Sequence, residues 1–95
     1  MAKVTVKLFG VLRVDTKLAT EELNIGKIEE IFPRLNARVD EIYAENLKTS
    51  PNLEKPAVLS YKDVIVFING ERCKKKSAAV SDGDEIWILS PASGG

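Results

Sequence analysis

The chain has 95 residues, with 14 Lys and Arg against 14 Asp and Glu, no histidine and one cysteine. That length suits a single domain with a modest core. The zero formal charge lacks the basic excess of a nucleic-acid binder, and no apolar run reaches the roughly 20 residues that span a bilayer.

The residue types also restrict the chemistry. Cys73 stands alone, so no intramolecular disulfide forms. Without histidine, the commonest general base and the usual zinc donor set are both missing. No GxSxG elbow, phosphate loop or dinucleotide fingerprint is present. Residues 1–4, MAKV, have no signal-peptide core, so the expected compartment is the cytoplasm. A self-contained enzyme is not expected, although chemistry using carboxylates alone stays open.

Residues 3–9, KVTVKLF, alternate with a period of two and predict a half-buried strand. Val4, Val6 and Leu8 face one way; Lys3, Thr5, Lys7 and Phe9 face the other. A turn or loop containing Gly10 and Asp15 is expected next, then a second strand within residues 18–25. After Gly26, apolar residues recur at Ile28, Ile31, Phe32, Leu35, Val39, Ile42 and Tyr43, which is one face of a helix. Glu29 and Glu30 sit in its first turn, where the macrodipole favours negative charge. Pro33 predicts a kink there, or two abutting helical pieces. Residues 46–56, NLKTSPNLEKP, read as a polar loop bounded by proline. Residues 64–68, VIVFI, read as a strand followed by an Asn69-Gly70 turn. Residues 80–84, VSDGD, form another turn before a last strand at 85–89, EIWIL.

Strands VIVFI and EIWIL are apolar at consecutive positions, the pattern of strands covered on both faces. The chain supplies one substantial helix, enough for one face. Burying Val4, Val6, Leu8, Ile86 and Ile88 under it leaves Phe9, Trp87 and Leu89 on the other side. Two readings stand: the long loop or lysine stems cover those residues, or they form an exposed apolar patch that meets a partner.

The chain closes on SPASGG. Gly94 and Gly95 have no Cβ, so they fit a narrow channel and adopt backbone angles closed to other residues. Pro91 fixes φ and biases the residue before it towards an extended form. Six extended residues, 90–95, reach roughly 20 Å at about 3.3 Å each. An ordinary frayed terminus is the competing reading.

Three segments carry a resemblance to a known group. KLFGVLR (residues 7–13), SDGDEIWIL (81–89) and SPASGG (90–95) together resemble the ubiquitin-like sulfur carriers of the MoaD/ThiS superfamily. The likeness is greatest to the small subunit of molybdopterin synthase, the MoaD type. Two departures are Ser90, where that family often has a second proline, and the loop at 46–56, longer than in its shortest members. The resemblance implies an α+β, β-grasp (ubiquitin-like) fold: a mixed sheet of about four to five strands packed on one main helix. The domain would span residues 1–89 and a flexible tail residues 90–95.

It also implies a function. An adenylating partner of the MoeB/ThiF type, using ATP, would activate the carboxylate of Gly95. The acyl-adenylate would become a thiocarboxylate that donates sulfur on a MoaE-like large subunit, where the catalytic site of molybdopterin synthase lies. No cofactor, metal, nucleic acid or membrane is implied for this chain. Gly95 and Gly94 are then the reacting end. Phe9, Arg13 and Leu89 are implied as partner-facing residues near the tail base, and Trp87 joins them from the alternation of the last strand. Pro91 falls between that surface and the glycines.

The physics agrees. An α-carboxyl has a pKa near 3.3–3.7 and is an anion at neutral pH. It attacks phosphorus but is a poor acyl electrophile until adenylation gives it a leaving group, so the carrier needs no catalytic side chains of its own. Carriers for thiamine-thiazole synthesis or tRNA thiolation begin the same way. So does a ubiquitin-like modifier joined to target lysines, while a plain interaction module would leave the tail idle. The run Lys74, Lys75, Lys76 reads as a solvated face or a contact for an acidic partner. Cys73 reads as an unreactive thiol or one activated by those lysines, and Asp82 and Asp84 as turn formers.

Overall fold

A computed structural model of the chain describes residues 1–91. The elements run β1 (Ala2–Leu8), α1 (Gly10–Thr16), β2 (Thr20–Ile25), a 3-10 turn (Ile28–Glu30), α2 (Ile31–Leu47), a second 3-10 turn (Tyr61–Asp63), β3 (Ile65–Ile68), β4 (Glu71–Arg72) and β5 (Glu85–Leu89). The five strands form one mixed sheet in the order β2-β1-β5-β3-β4. β1 and β5 are parallel; the other pairs are antiparallel. This is the mixed sheet on one main helix that the β-grasp expectation required.

The alternation of β1 is realised residue by residue. Val4, Val6 and Leu8 are buried, as are Leu23 and Ile25 of β2, Val66 of β3, and Ile86 and Ile88 of β5. They share one core with Ile28 and with Ile31, Phe32, Leu35 and Val39 from the buried stripe of α2. Each such side chain contributes about 1.5–3 kcal/mol by leaving water.

The expected break near Pro33 falls at the junction of the 3-10 turn with α2. Pro33 lies in the first turn of α2, where an amide N–H has no intrahelical acceptor and its loss costs little. The N–H groups ahead of α2 find acceptors at the end of the basic run and just after it. Ile28 donates to the Ala78 carbonyl at 2.9 Å and Glu29 to the Lys76 carbonyl at 2.8 Å.

The loop expected around Gly10 and Asp15 is instead the two-turn helix α1. Its sequence, GVLRVDT, is poor in strong helix formers, so local propensity does not announce it. It is held by one core contact and by bonds to its own backbone. Leu12 packs on the core, and Thr16 Oγ1 donates to the Leu12 carbonyl at 2.7 Å. Lys17, in the left-handed region at φ 60°, caps it by donating its N–H to Arg13 O.

The long loop begins at Lys48, later than the sequence suggests, because α2 runs on to Leu47. It lies against α2. The Asn36 side chain donates to the Leu59 carbonyl at 2.9 Å and accepts the Leu59 N–H at 2.8 Å. Tyr43 Oη donates to Leu53 O at 3.1 Å, and Lys55 pairs with Asp40 at 3.4 Å.

The DGD segment fixes how β5 enters the sheet. Asp82 Oδ1 accepts the Lys3 N–H at 2.7 Å, Gly83 donates to Lys3 O at 2.8 Å, and the Asp84 carbonyl accepts the Thr5 N–H at 3.0 Å. Gly83 takes φ 88°, a value that suits glycine. These bonds set the parallel register in which Thr5 faces Glu85 and Lys7 faces Trp87. The expected Asn69-Gly70 turn has positive φ at both residues, 52° and 89°, as a two-residue hairpin of this hand requires.

Candidate functional site: an open aromatic sheet face

The face of the sheet away from α2 is read from the register. Lys7 pairs with Trp87, Trp87 with Phe67, and Phe67 with Arg72, so these four side chains form one row across β1, β5, β3 and β4. Towards the end of β5, Leu89 pairs with Ile65, and Phe9 follows β1, its N–H donating to the Ile88 carbonyl at 3.1 Å. Thr5 and Glu85 form the row at the opposite end.

The aromatic residues of this face cluster. The Phe9 and Trp87 rings meet edge to face, with centroids 5.5 Å apart and planes at 69°. Phe67 flanks Trp87 on the other side at 6.4 Å and 48°. Phe9, Ile65, Phe67, Trp87 and Leu89 are all half-buried, neither in the core nor fully solvated. The long loop, tied to α2, does not cover them. The patch is partly exposed, and Lys7 stands beside Trp87 in the same row.

The face is edged with charge. Lys7 Nζ lies 3.4 Å from Glu85 Oε1, and the Trp87 indole N–H donates to Glu85 Oε2. The Glu85 carboxyl is held below the usual carboxylate range, chiefly by the indole hydrogen bond; a smaller opposing effect of burial is followed by the help of Lys7. Arg72 stands exposed at the other edge of the row.

The structure gathers Phe9, Trp87 and Leu89 on one surface. Arg13 is exposed on α1, which begins directly after Phe9 and touches β5. Pro91 is exposed two residues beyond β5. Gly94 and Gly95 lie outside the described residues. Phe67, Ile65 and Glu85 belong to the same surface, yet sequence reasoning did not single them out. The alternation of VIVFI contained the signal, but only the pairing of β3 with β5 brings Phe67 beside Trp87.

Other candidates are plainer. Cys73 is buried, and its Sγ donates to Lys75 O at 3.2 Å; it packs as a core residue. Lys74, Lys75 and Lys76 are exposed. Among the described residues no cluster of three or more His, Cys, Asp or Glu is placed to hold a metal, and no helix is long and apolar enough to cross a membrane.

A small mixed sheet grasping one helix, with an apolar face beside the exit of its last strand, is a β-grasp, ubiquitin-like fold. The ThiS family model matches residues 6–95, and the chain belongs to that family. No curated protein matches the chain. Among solved structures, small archaeal modifier protein 1 (SAMP1) from Methanosarcina acetivorans is 26% identical with a TM-score of 0.69, covering 100% of this chain and 98% of that one. A putative molybdopterin converting factor subunit 1 from Pyrococcus furiosus is 17% identical with a TM-score of 0.65, covering 97% and 100%. Subunits 1 and 2 of the molybdopterin-converting factor from Helicobacter pylori form a complex whose matching chain is 20% identical, with a TM-score of 0.54 and coverage of 99% on that side and 98% on this. At those last two identities the likeness is one of fold.

Proposed function

We propose that this protein is a sulfur carrier whose reactive group is the carboxylate of Gly95. The observation that carries the reading is the ThiS family match, which runs to residue 95 and so takes in both terminal glycines. A Gly95 carboxylate oxygen attacks the α-phosphorus of ATP on an activating enzyme of the MoeB/ThiF type, and pyrophosphate leaves. Hydrosulfide released by a sulfur-donating partner attacks the acyl carbon and displaces AMP, leaving a thiocarboxylate. The open face of Phe9, Phe67, Trp87 and Leu89 docks the partners while the tail, starting at Ser90 and Pro91, reaches into their active sites. The carrier supplies the acyl group and the docking surface; the partners supply positioning and charge neutralisation.

The sulfur is assigned to molybdopterin, with a MoaE-like large subunit as the second partner. Two supports are the DGDE turn and SPASGG tail, and the subunit 1 and 2 complex among the solved neighbours. Intact-mass analysis of the protein isolated from cells tests the reading. Replacement of one oxygen by sulfur at the C-terminus is expected; its absence under conditions of active cofactor synthesis counts against it.

The likeness to SAMP1 favours a second reading, a modifier joined through Gly95 to target lysines. Both readings begin with adenylation and diverge at the nucleophile. Lysine conjugates in the same mass analysis would select the modifier.

A further inference from the structure

We infer that Glu85 is a positioning residue, holding the Trp87 indole in the orientation in which the open face meets its partner. The inference rests on the docking reading above. Glu85 and Trp87 are two apart on β5, so both side chains leave the same face. The two carboxylate oxygens divide their work: Oε2 accepts the Trp87 indole N–H, and Oε1 lies 3.4 Å from Lys7 Nζ on β1. The carboxylate is thereby tethered from two strands.

The backbone beneath it is also fixed. Glu85 N–H donates to Asn69 Oδ1 at 2.9 Å, and Glu85 O accepts the Asn69 N–H at 2.8 Å. Phe9 and Phe67 confine the indole from two sides, with centroids 5.5 and 6.4 Å away. The hydrogen bond to Glu85 sets the remaining freedom, the direction of the Nε1 edge. A half-exposed aromatic anchor held in this way enters a complex without having to be ordered first. The charged groups around Glu85 are Lys7 on β1 and the neighbouring Asp84, whose carboxylate is occupied by Asn69 Nδ2 and the Ser81 N–H.

Two measurements test it. In adenylation assays with the activating enzyme, Glu85→Ala raises KM for the carrier about three- to tenfold with kcat near wild type. Glu85→Gln restores most of the loss, because its amide oxygen still accepts the indole N–H. On the isolated chain, Trp87 is the only tryptophan, so its fluorescence reads the contact directly. Wild-type emission changes on acidification below the ordinary glutamate value of 4.5, over the range where circular dichroism is constant. That change is absent in Glu85→Gln and moves to higher pH in Lys7→Met. An unchanged KM in a folded Glu85→Ala variant, or an emission change that survives in Glu85→Gln, overturns the inference. If the wild-type chain is not adenylated at all, the carrier reading fails and the emission measurement alone decides the role of Glu85.

Discussion

Asn69 grips Glu85 from both sides, donating its backbone N–H to the Glu85 carbonyl at 2.8 Å and accepting the Glu85 N–H on Oδ1 at 2.9 Å. Its side-chain Nδ2 donates to Asp84 Oδ1 at 2.9 Å. One residue therefore joins the β3–β4 turn to the start of β5, and it does so from the left-handed region at φ 52°.

Replacing it should be costly for an exposed turn residue. Asn69→Ala loses the side-chain hydrogen bonds and places a Cβ residue without that support at positive φ, for about 2–3 kcal/mol of stability. Asn69→Gly tolerates the angle and loses only the hydrogen bonds, so it falls between wild type and alanine. Urea denaturation of the three proteins checks the order.

Deleting Gly94 and Gly95, or adding one bulky residue after Gly95, should abolish adenylation while leaving circular dichroism and thermal unfolding at wild-type values. A pyrophosphate-release assay with the activating enzyme, paired with a melting curve, reads both. Turnover by the extended variant would remove the terminal carboxylate from the mechanism.

The proposed partner face should separate binding from stability. Leu89 is half-buried at the end of β5, and a partner that covers its remaining surface gains about 1 kcal/mol, while an aspartate there adds the cost of burying a charge. Leu89→Asp should therefore raise KM for adenylation at least tenfold, with kcat little changed. Arg13→Glu on exposed α1 should weaken the same docking in a salt-dependent way. Titration of KM against ionic strength distinguishes the two effects.

Tyr61 gives a pH signature at the alkaline end. Its phenol donates to the Cys73 carbonyl at 3.2 Å, and its pKa is raised above 10.0, first by burial and then by Cys73. The folded state thus keeps the proton that the unfolded chain releases. The contribution is complete below pH 10.0 and is lost as pH rises through the higher folded value. Wild type should lose more stability above pH 10 than Tyr61→Phe, and denaturation at pH 8 and pH 11 compares them.

Much of this was readable in advance, for physical reasons. A strand buried on one face writes its period into Val4, Val6 and Leu8, and a turn that needs positive φ writes Asn69-Gly70. The elements that stayed hidden are those that leave no periodic pattern in their own residues. α1 owes its existence to Leu12 on the core, Thr16 on its own backbone and the cap at Lys17. β4 is two residues long, Glu71–Arg72, too short for any alternation to show. Of the open sheet face, Phe9, Trp87 and Leu89 were visible in their own strands, whereas Phe67 and Glu85 acquire their place only from register. The DGD segment was legible as a turn, but its hold on Lys3, Thr5 and Asn69 was not, because those partners lie far away in sequence.

β5 lies in the middle of the sheet, bonded to β1 on one flank and β3 on the other. The chain at Ser90 and Pro91 therefore leaves a strand held on both flanks. Traction along that chain loads both ladders in shear, so their bonds must yield together rather than peel away singly. Under the function proposed above, a partner that took the chain end into its active site would hold it under tension without unravelling the body left outside.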